Sequence, residues 1–185
     1  QLKQIYRDAL LNDVIPFWMR HGLDKENGGY YHYLDRDGSI LDRDKSVWIQ
    51  GRCTWLFSKL YNDLEKREEW LEAAKLGYDF LIKYCFDEDG RMFFQVTCDG
   101  KPLRKRRYWF SETFAIIAFA EYAKATGSDE ALQKAKATYK MITNFYRNPG
   151  LLPAKVNPDV RPMMAHAQTM ILIATTQVIR EVDND

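Results

Sequence analysis

The chain has 185 residues, of which 46% are hydrophobic and 29% charged, and its formal net charge is +1. This length is enough for one domain with a sizeable core, and the composition excludes a disordered protein. The balanced charge provides no overall attraction to nucleic acid or to an acidic membrane surface, so neither is an expected partner.

The cysteines and histidines match neither a disulfide framework nor a metal site. Their positions are Cys53, Cys85, Cys98, His21, His32 and His166. An odd number of cysteines without a CxxC pair favours a reducing compartment, and no HxxxH or HExxH pattern is present to bind a metal. No apolar run approaches the ~20 residues that span a bilayer, and the first residues show no signal peptide. We therefore expect a cytoplasmic protein without a bound metal.

Apolar residues at helical spacing predict six helices. The predicted ranges are 2–21, 45–64, 67–85, 111–125, 129–146 and 162–182. Pro16 should kink or end the first helix, because proline interrupts the helical hydrogen bonds. Ser111 is the expected N-cap of the fourth helix, since Ser-Glu-Thr nearly forms a capping box.

Two long loops carry glycine turn signals around residues that favour strands. They predict a small hairpin or loop around residues 30–34 and a hairpin-like stretch over residues 86–103. Pairs of helices separated by such loops indicate an all-α architecture of helical hairpins, arranged either as a solenoid or as a closed ring. The long loops should gather at one end of the helices, where functional sites usually form.

An arginine lies in the middle of the most apolar predicted helix. Trp48, Arg52 and Trp55 follow the spacing i, i+4, i+7 and share one stripe of that helix. A buried guanidinium is costly unless it pairs with a carboxylate or faces a wet cavity. The spacing leaves both interpretations open: a structural ion pair, or a pocket in which the five N–H donors of Arg52 bind an oxygen-rich ligand.

Four stretches of the chain resemble the N-acylglucosamine 2-epimerase family. "KSVWIQGRCTWLFSKLY" (45–61) is similar to the W-x-Q-G-R-x-x-W helix of that family. "IPFWMRHGLDKENGGYY" (15–31) and "TCDGKPLRKRRYWFSETFAIIAFAEYAKATG" (97–127) resemble two further family segments, the second through its D-G-x-P, F-S-E and A-T-G motifs. "RPMMAHAQTMILIATTQVIRE" (161–181) is a weaker match.

The resemblance implies an (α/α)6 barrel, in which inner and outer helices alternate and the inner helices line a funnel-shaped active site. Members of the family are about twice as long as this chain, and the six predicted helices make half of such a ring. We therefore expect residues 1–185 to be the N-terminal half of a single (α/α)6-barrel domain, without a second domain. An open half-barrel would expose apolar helix faces at its broken edge.

The resemblance also implies a sugar epimerase that interconverts N-acetylglucosamine and N-acetylmannosamine through an enolate-type intermediate. Arg52 would be the catalytic residue that stabilises the enolate, while a histidine pair and a glutamate in the second half of the barrel move the C2 proton. This half alone is then expected to be inactive. The implied substrate contacts are Trp48, Tyr108, Trp109, Glu112 and His166, with Tyr108 or Trp109 at the rim of the pocket. Glu112 could equally be a capping carboxylate, and His166 a buried core histidine.

Other functions stay open beside this hypothesis. A cellobiose 2-epimerase or an aldose–ketose isomerase has the same fold, and mammalian relatives have been described as renin binders, which would make the protein a non-catalytic binding protein. The F-S-E and D-G-x-P motifs favour the acylamino sugar, and no carboxylate pair of the kind used by glycoside hydrolases accompanies Arg52.

The epimerisation chemistry requires no cofactor. The family and the basic run 101–107 suggest ATP as an activator, although no Walker-type loop is present, and the family suggests a homodimer.

Overall fold

The computed structural model describes residues 1–163 and 166–183. The α-helices are α1 (Leu2–Ala9), α2 (Ile15–His21), α3 (Val47–Asp63), α4 (Glu68–Tyr84), α5 (Phe110–Thr126), α6 (Asp129–Arg147) and α7 (His166–Arg180). The strands are β1 (Tyr33–Leu34), β2 (Ile40–Asp42), β3 (Lys45–Ser46), β4 (Gln95–Val96) and β5 (Pro102–Arg104). A π-helical turn (Leu10–Val14) and a 3-10 turn (Pro149–Leu151) complete these elements.

The long helices pack in two layers. Helix α3 lies along α5, and α5 lies along α7, so these three form one layer. Helix α4 covers α3 and α6 covers α5, which makes the second layer. The predicted all-α arrangement of helical hairpins is therefore confirmed. The last predicted helix, 162–182, appears as α7, and Met164 and Ala165 at its predicted start lie outside the described residues.

The first predicted helix is divided by a π-helical turn. The N–H of Ile15 donates to the carbonyl of Leu10, five residues earlier, and Pro16 follows in the first turn of α2. Proline has no N–H to donate and its ring crowds the preceding turn, which a wider π turn accommodates. The interruption that Pro16 predicts therefore takes the form of a widened turn that ends just before the proline.

Helix α5 is apolar on nearly every side because it is covered by α3, α6 and α7. It ends where Gly127 adopts a left-handed conformation with φ of 71°, a typical helix stop. The hydroxyl of Ser128 then accepts a hydrogen bond from the N–H of Ala131 at 3.2 Å and begins α6. The tight connection makes α5 and α6 one helical hairpin.

The strands tie together the loops that precede α3 and α5. Strands β1 and β2 form one antiparallel hairpin, and β3, β4 and β5 form a three-stranded sheet in that order. The two predicted hairpin regions are thus confirmed, but the pairing of β3 with β4 was not predicted, because Lys45 and Ser46 were assigned to the helix. This pairing brings the starts of α3 and α5 to the same end of the molecule.

Gly51 allows α3 to approach the backbone of α5 closely. A Cβ atom at this position would lie 2.7 Å from both the carbonyl carbon and the carbonyl oxygen of Phe114. Both are backbone atoms of α5, so a larger residue at position 51 would require the two helices to separate.

Gly51→Ala is expected to lower the free energy of unfolding by about 1–3 kcal/mol, the usual cost of overpacking a core. Urea unfolding followed by circular dichroism would measure it. Gly150→Ala is the matched control, because nothing lies within 4 Å of a Cβ at that position. Equal unfolding midpoints for the two variants would contradict the importance of the close helix contact.

Candidate active site

The first turns of α3 and α5 are joined by a hydrogen bond between their side chains. Trp48, in the first turn of α3, donates its indole N–H to the hydroxyl of Ser111 at 3.0 Å. Helix α5 begins at Phe110, and no side chain caps its N-terminus. The prediction of Ser111 as the N-cap is therefore wrong, and its hydroxyl orients Trp48 instead.

Trp48 lies at the centre of an aromatic cluster. Its ring is 5.1 Å from that of Phe94, edge to face, and 5.8, 5.7 and 6.4 Å from the rings of Phe110, Phe114 and Tyr108. We call these five residues the Trp48 cluster. Trp48 remains half-buried, so part of the cluster is open to a ligand. Such surfaces offer large contact area with defined geometry.

Arg52 lies one helical turn after Trp48 and is exposed. Its guanidinium carbon is 4.0 Å from the centre of the Phe114 ring, a close cation–π contact. Among residues 1–163 and 166–183, no carboxylate forms an ion pair with Arg52. The structural ion pair that the sequence left open is not formed in this part of the protein. The guanidinium donors remain free for a ligand.

The two residues before Arg52 serve different structural purposes. The side chain of Gln50 is fully buried, donates to the Tyr30 carbonyl at 2.8 Å and accepts from the Tyr30 N–H at 2.7 Å. Gly51 gives the close approach to α5 described above. Gln50 therefore holds the preceding loop, Gly51 fits against α5, and Arg52 presents its cation beside the Trp48 cluster.

Glu112 is completely buried and pairs with Arg91. One carboxylate oxygen of Glu112 accepts hydrogen bonds from the Arg91 side chain and from the Met92 N–H, each at 3.0 Å. Arg91 also donates to the carbonyl of Tyr108 at 3.0 Å. Burial raises the pKa of Glu112, while the nearby Arg91 acts in the opposite direction. Glu112 thus joins the loop to α5. It makes no capping hydrogen bond, so the alternative role as a cap is wrong, and its contact with a substrate stays a prediction.

The remaining predicted contacts lie in different surroundings. Trp109 is 1% exposed and packs edge-on against Phe110 and Tyr146, so its predicted position at the rim is wrong. Tyr108 is half-buried within the Trp48 cluster, and its position at the rim of the pocket stays a prediction. His166 is exposed at the start of α7 in this part of the protein, and both its contact with a substrate and its alternative role as a core histidine stay predictions.

The structure contains a buried ion pair just before the start of α3 that was not predicted from the sequence. The ammonium group of Lys45 lies 2.7 Å from the carboxylate of Asp24 and donates to the carbonyls of Gly28 and Cys98 at 2.6 and 3.0 Å. Asp24 and Lys45 are 1% and 0% exposed. The only local signal was the Asp-x-x-Asn-Gly-Gly turn that begins at Asp24. The pair fixes the start of α3 and so the positions of Trp48 and Arg52.

The described residues contain no cluster of histidine, cysteine or acidic side chains arranged to hold a metal ion. Within the same residues, no helix has the length and apolar character needed to cross a membrane.

Helical hairpins in two layers, with loops and an arginine–aromatic site at one end, define a protein of the α/α-toroid class. The chain belongs to the N-acylglucosamine 2-epimerase family, whose model, N-acylglucosamine 2-epimerase (GlcNAc 2-epimerase), matches residues 29–185.

Individual relatives agree with this assignment. The N-acylglucosamine 2-epimerase of Rattus norvegicus is 38% identical over 141 residues, which cover 74% of this chain and 34% of the relative. The cellobiose 2-epimerase of Eubacterium cellulosolvens is 38% identical over 164 residues, covering 86% of this chain and 39% of the relative. The chain thus spans less than half the length of these curated relatives.

Solved structures show the same fold. The structure of cellobiose 2-epimerase from Bacillus thermoamylovorans B4167 matches with a TM-score of 0.84 at 27% identity. The match covers 98% of this chain and 51% of that chain. The predicted fold, about half of a helical toroid, is confirmed.

Proposed function

We propose that the protein is an isomerase that inverts C2 of an acylamino sugar and interconverts N-acetylglucosamine and N-acetylmannosamine. The observation that carries this proposal is Arg52, an exposed guanidinium without an ion-pair partner among the described residues, set on the Trp48 cluster. Membership of the epimerase family supports the reaction class.

The chemistry requires a cation near the sugar carbonyl. Removing the C2 proton of the open-chain sugar places negative charge on the C1 oxygen, and returning the proton on the opposite face inverts the centre. Arg52 would donate to that oxygen and stabilise the charge as it develops. Trp48 and Tyr108 would form the wall beside the sugar, and His166 would contact it from α7.

We infer that residues 1–185 form the N-terminal half of one (α/α)6-barrel domain. The match to about half of a solved epimerase supports this division. The two acid/base histidines and the assisting glutamate are then expected in the other half, and residues 1–185 alone should be inactive. The proton transfers need no cofactor. ATP as an activator, a homodimer and a cytoplasmic location remain predictions.

A second candidate is a cellobiose 2-epimerase. The relative from Eubacterium cellulosolvens has the same identity to this chain as the rat N-acylglucosamine 2-epimerase and matches more residues. Both activities invert C2 beside a carbonyl, so the Arg52 site suits either. The F-S-E and D-G-x-P motifs favour the acylamino sugar.

The test is a substrate panel in deuterated water with the full-length protein. N-acetylmannosamine is expected to be converted to N-acetylglucosamine with deuterium appearing at C2, measured by NMR. Conversion of cellobiose but not of the acylamino sugar would favour the second candidate. Product formation without deuterium at C2 would rule out the proposed mechanism.

A further inference from the structure

The Trp48 cluster is assembled from three segments of the chain. Trp48 comes from the first turn of α3, and Phe94 comes from the loop just before β4. Tyr108, Phe110 and Phe114 come from the start of α5 and the residues before it. Rings from segments so far apart form one surface only if the segments are joined, because unrestrained loops move within nanoseconds to microseconds.

Hydrogen bonds join α3 to both of the other segments. The indole N–H of Trp48 donates to the hydroxyl of Ser111 at 3.0 Å, which connects α3 to the start of α5. The backbone N–H of Val47 donates to the carbonyl of Phe94 at 2.9 Å, which connects α3 to the loop before β4. The first of these bonds acts on the indole ring itself, so it sets the orientation of Trp48 and not only its position.

Arg91 connects the loop to the start of α5. Its side chain donates to the carboxylate of Glu112 and to the carbonyl of Tyr108, each at 3.0 Å. The N–H of Met92 donates to the same carboxylate oxygen at 3.0 Å. A planar guanidinium holds two acceptors in a fixed geometry, which the ammonium group of a lysine on its flexible stem does not. Each pair of segments is therefore joined by at least one hydrogen bond.

Two residues of this arrangement are buried and reach the cluster through other residues. Ser111 is 2% exposed and Arg91 is 6% exposed, whereas Trp48 and Tyr108 are half-buried. An effect of Ser111 or Arg91 on the sugar would therefore pass through the two rings. Side chains that are already ordered lose less freedom when a ligand binds, so a fixed aromatic wall binds more tightly than a mobile one.

We propose that Ser111 and Arg91 are positioning residues, which hold Trp48 and Tyr108 in the orientation that binds the sugar. The inference rests on the proposed function in taking the Trp48 cluster as the sugar site. It also assigns a role to the F-S-E motif, whose serine orients Trp48 and whose glutamate holds Arg91. If the two residues only stabilised the fold, their replacement would lower the unfolding midpoint and leave the affinity of the folded enzyme unchanged.

The experiment measures the binding and turnover of N-acetylmannosamine by Ser111→Ala and Arg91→Lys in the full-length protein. Each variant is expected to raise Kd and KM about 3–10-fold, the cost of ordering one or two side chains on binding. The kcat should change by less than about twofold, because the interaction that is lost serves substrate and transition state alike. Arg91→Lys keeps a positive charge beside Glu112, so it tests the connection to Tyr108 with the charge pair retained. Ser111→Ala serves if Arg91→Lys does not fold.

Ser58→Ala is the matched control. It removes a fully buried hydroxyl from the helix that carries Trp48, and this hydroxyl has no hydrogen-bond partner among the described residues. Kd and KM should stay at the wild-type values. The indole N–H signal of Trp48 in a proton–nitrogen correlation spectrum, assigned with Trp48→Phe, should move in Ser111→Ala and not in Ser58→Ala, because the hydrogen bond to Ser111 is lost.

Affinity and turnover separate this inference from the proposed function. An unchanged Kd, or a loss confined to kcat, in either variant would overturn the positioning role of that residue, while turnover by the wild type would still support the proposed function. If the wild type converts no sugar of the panel, the proposed function fails. The positioning of Trp48 then stands if its indole signal moves in Ser111→Ala and not in the control, and it is overturned if the signal does not move.

Discussion

Asp24→Asn is expected to lower the free energy of unfolding by about 3–5 kcal/mol, the usual cost of removing one partner from a buried ion pair. The substitution leaves the Lys45 ammonium group fully buried without its counter-charge. Urea unfolding at neutral pH would measure the loss. The matched control is Asp79→Asn, which removes an exposed partner of Lys75 on α4 and should cost about 0–1 kcal/mol. A loss for Asp24→Asn as small as that of the control would contradict this prediction.

The same pair predicts how stability depends on acid. Burial acts to raise the pKa of Asp24, but hydrogen bonds from Lys45, the Asn27 N–H and Cys98 outweigh it and lower the pKa to about 2. A carboxylate with a lowered pKa stabilises the fold above its ordinary pKa of 3.8, and this contribution disappears as the pH falls through about 2. Unfolding midpoints measured from pH 6 to pH 2 should therefore decline less steeply for Asp24→Asn than for the wild type. Parallel declines would show that other groups dominate.

Arg52→Ala is expected to reduce kcat for C2 epimerisation by about 10²–10³-fold, the usual effect of removing one donor to a developing oxyanion. Stability should change little, because the side chain is exposed and makes no ion pair within the described residues. The measurement is the rate of deuterium incorporation at C2 by the full-length variant, together with its unfolding midpoint.

Two further variants separate charge from geometry at this position. Arg52→Lys keeps the charge without the planar fork and should lie between Ala and the wild type. Arg36→Ala removes an exposed arginine from the loop between β1 and β2 and should leave the rate unchanged. An Arg52→Ala enzyme with a normal rate would exclude Arg52 from the chemistry.

The helices could be predicted because their signal is local. Apolar spacing within one segment located α3 to α7 to within a few residues, and Gly127 marked the end of α5. The aromatic surroundings of Arg52 could be predicted in part, because Trp48 lies one helical turn away on the same helix. The family resemblance supplied the assignment of that stripe to a site.

The rest depended on contacts between distant segments. Lys45 and Asp24 are joined across a loop, as are Arg91 and Glu112, and spacing within one helix carries no information about such partners. The surroundings of Arg52 could not be chosen from the sequence for a similar reason. Whether a stripe is buried depends on which other helices cover it, and α5 covers the Gly51 side of α3.

The arrangement of Gln50, Gly51 and Arg52 also limits changes in the length of α3. Successive residues of a helix are rotated by about 100° from one another, so one residue inserted before Gln50 would turn all three away from their surroundings. The Gln50 amide would lose its hydrogen bonds to Tyr30, and a side chain at the position of Gly51 would collide with the Phe114 backbone. The Arg52 guanidinium would at the same time leave the Phe114 ring. Folding and the proposed ligand contact of Arg52 thus depend on one helical register, so a single insertion before Gln50 would disrupt both.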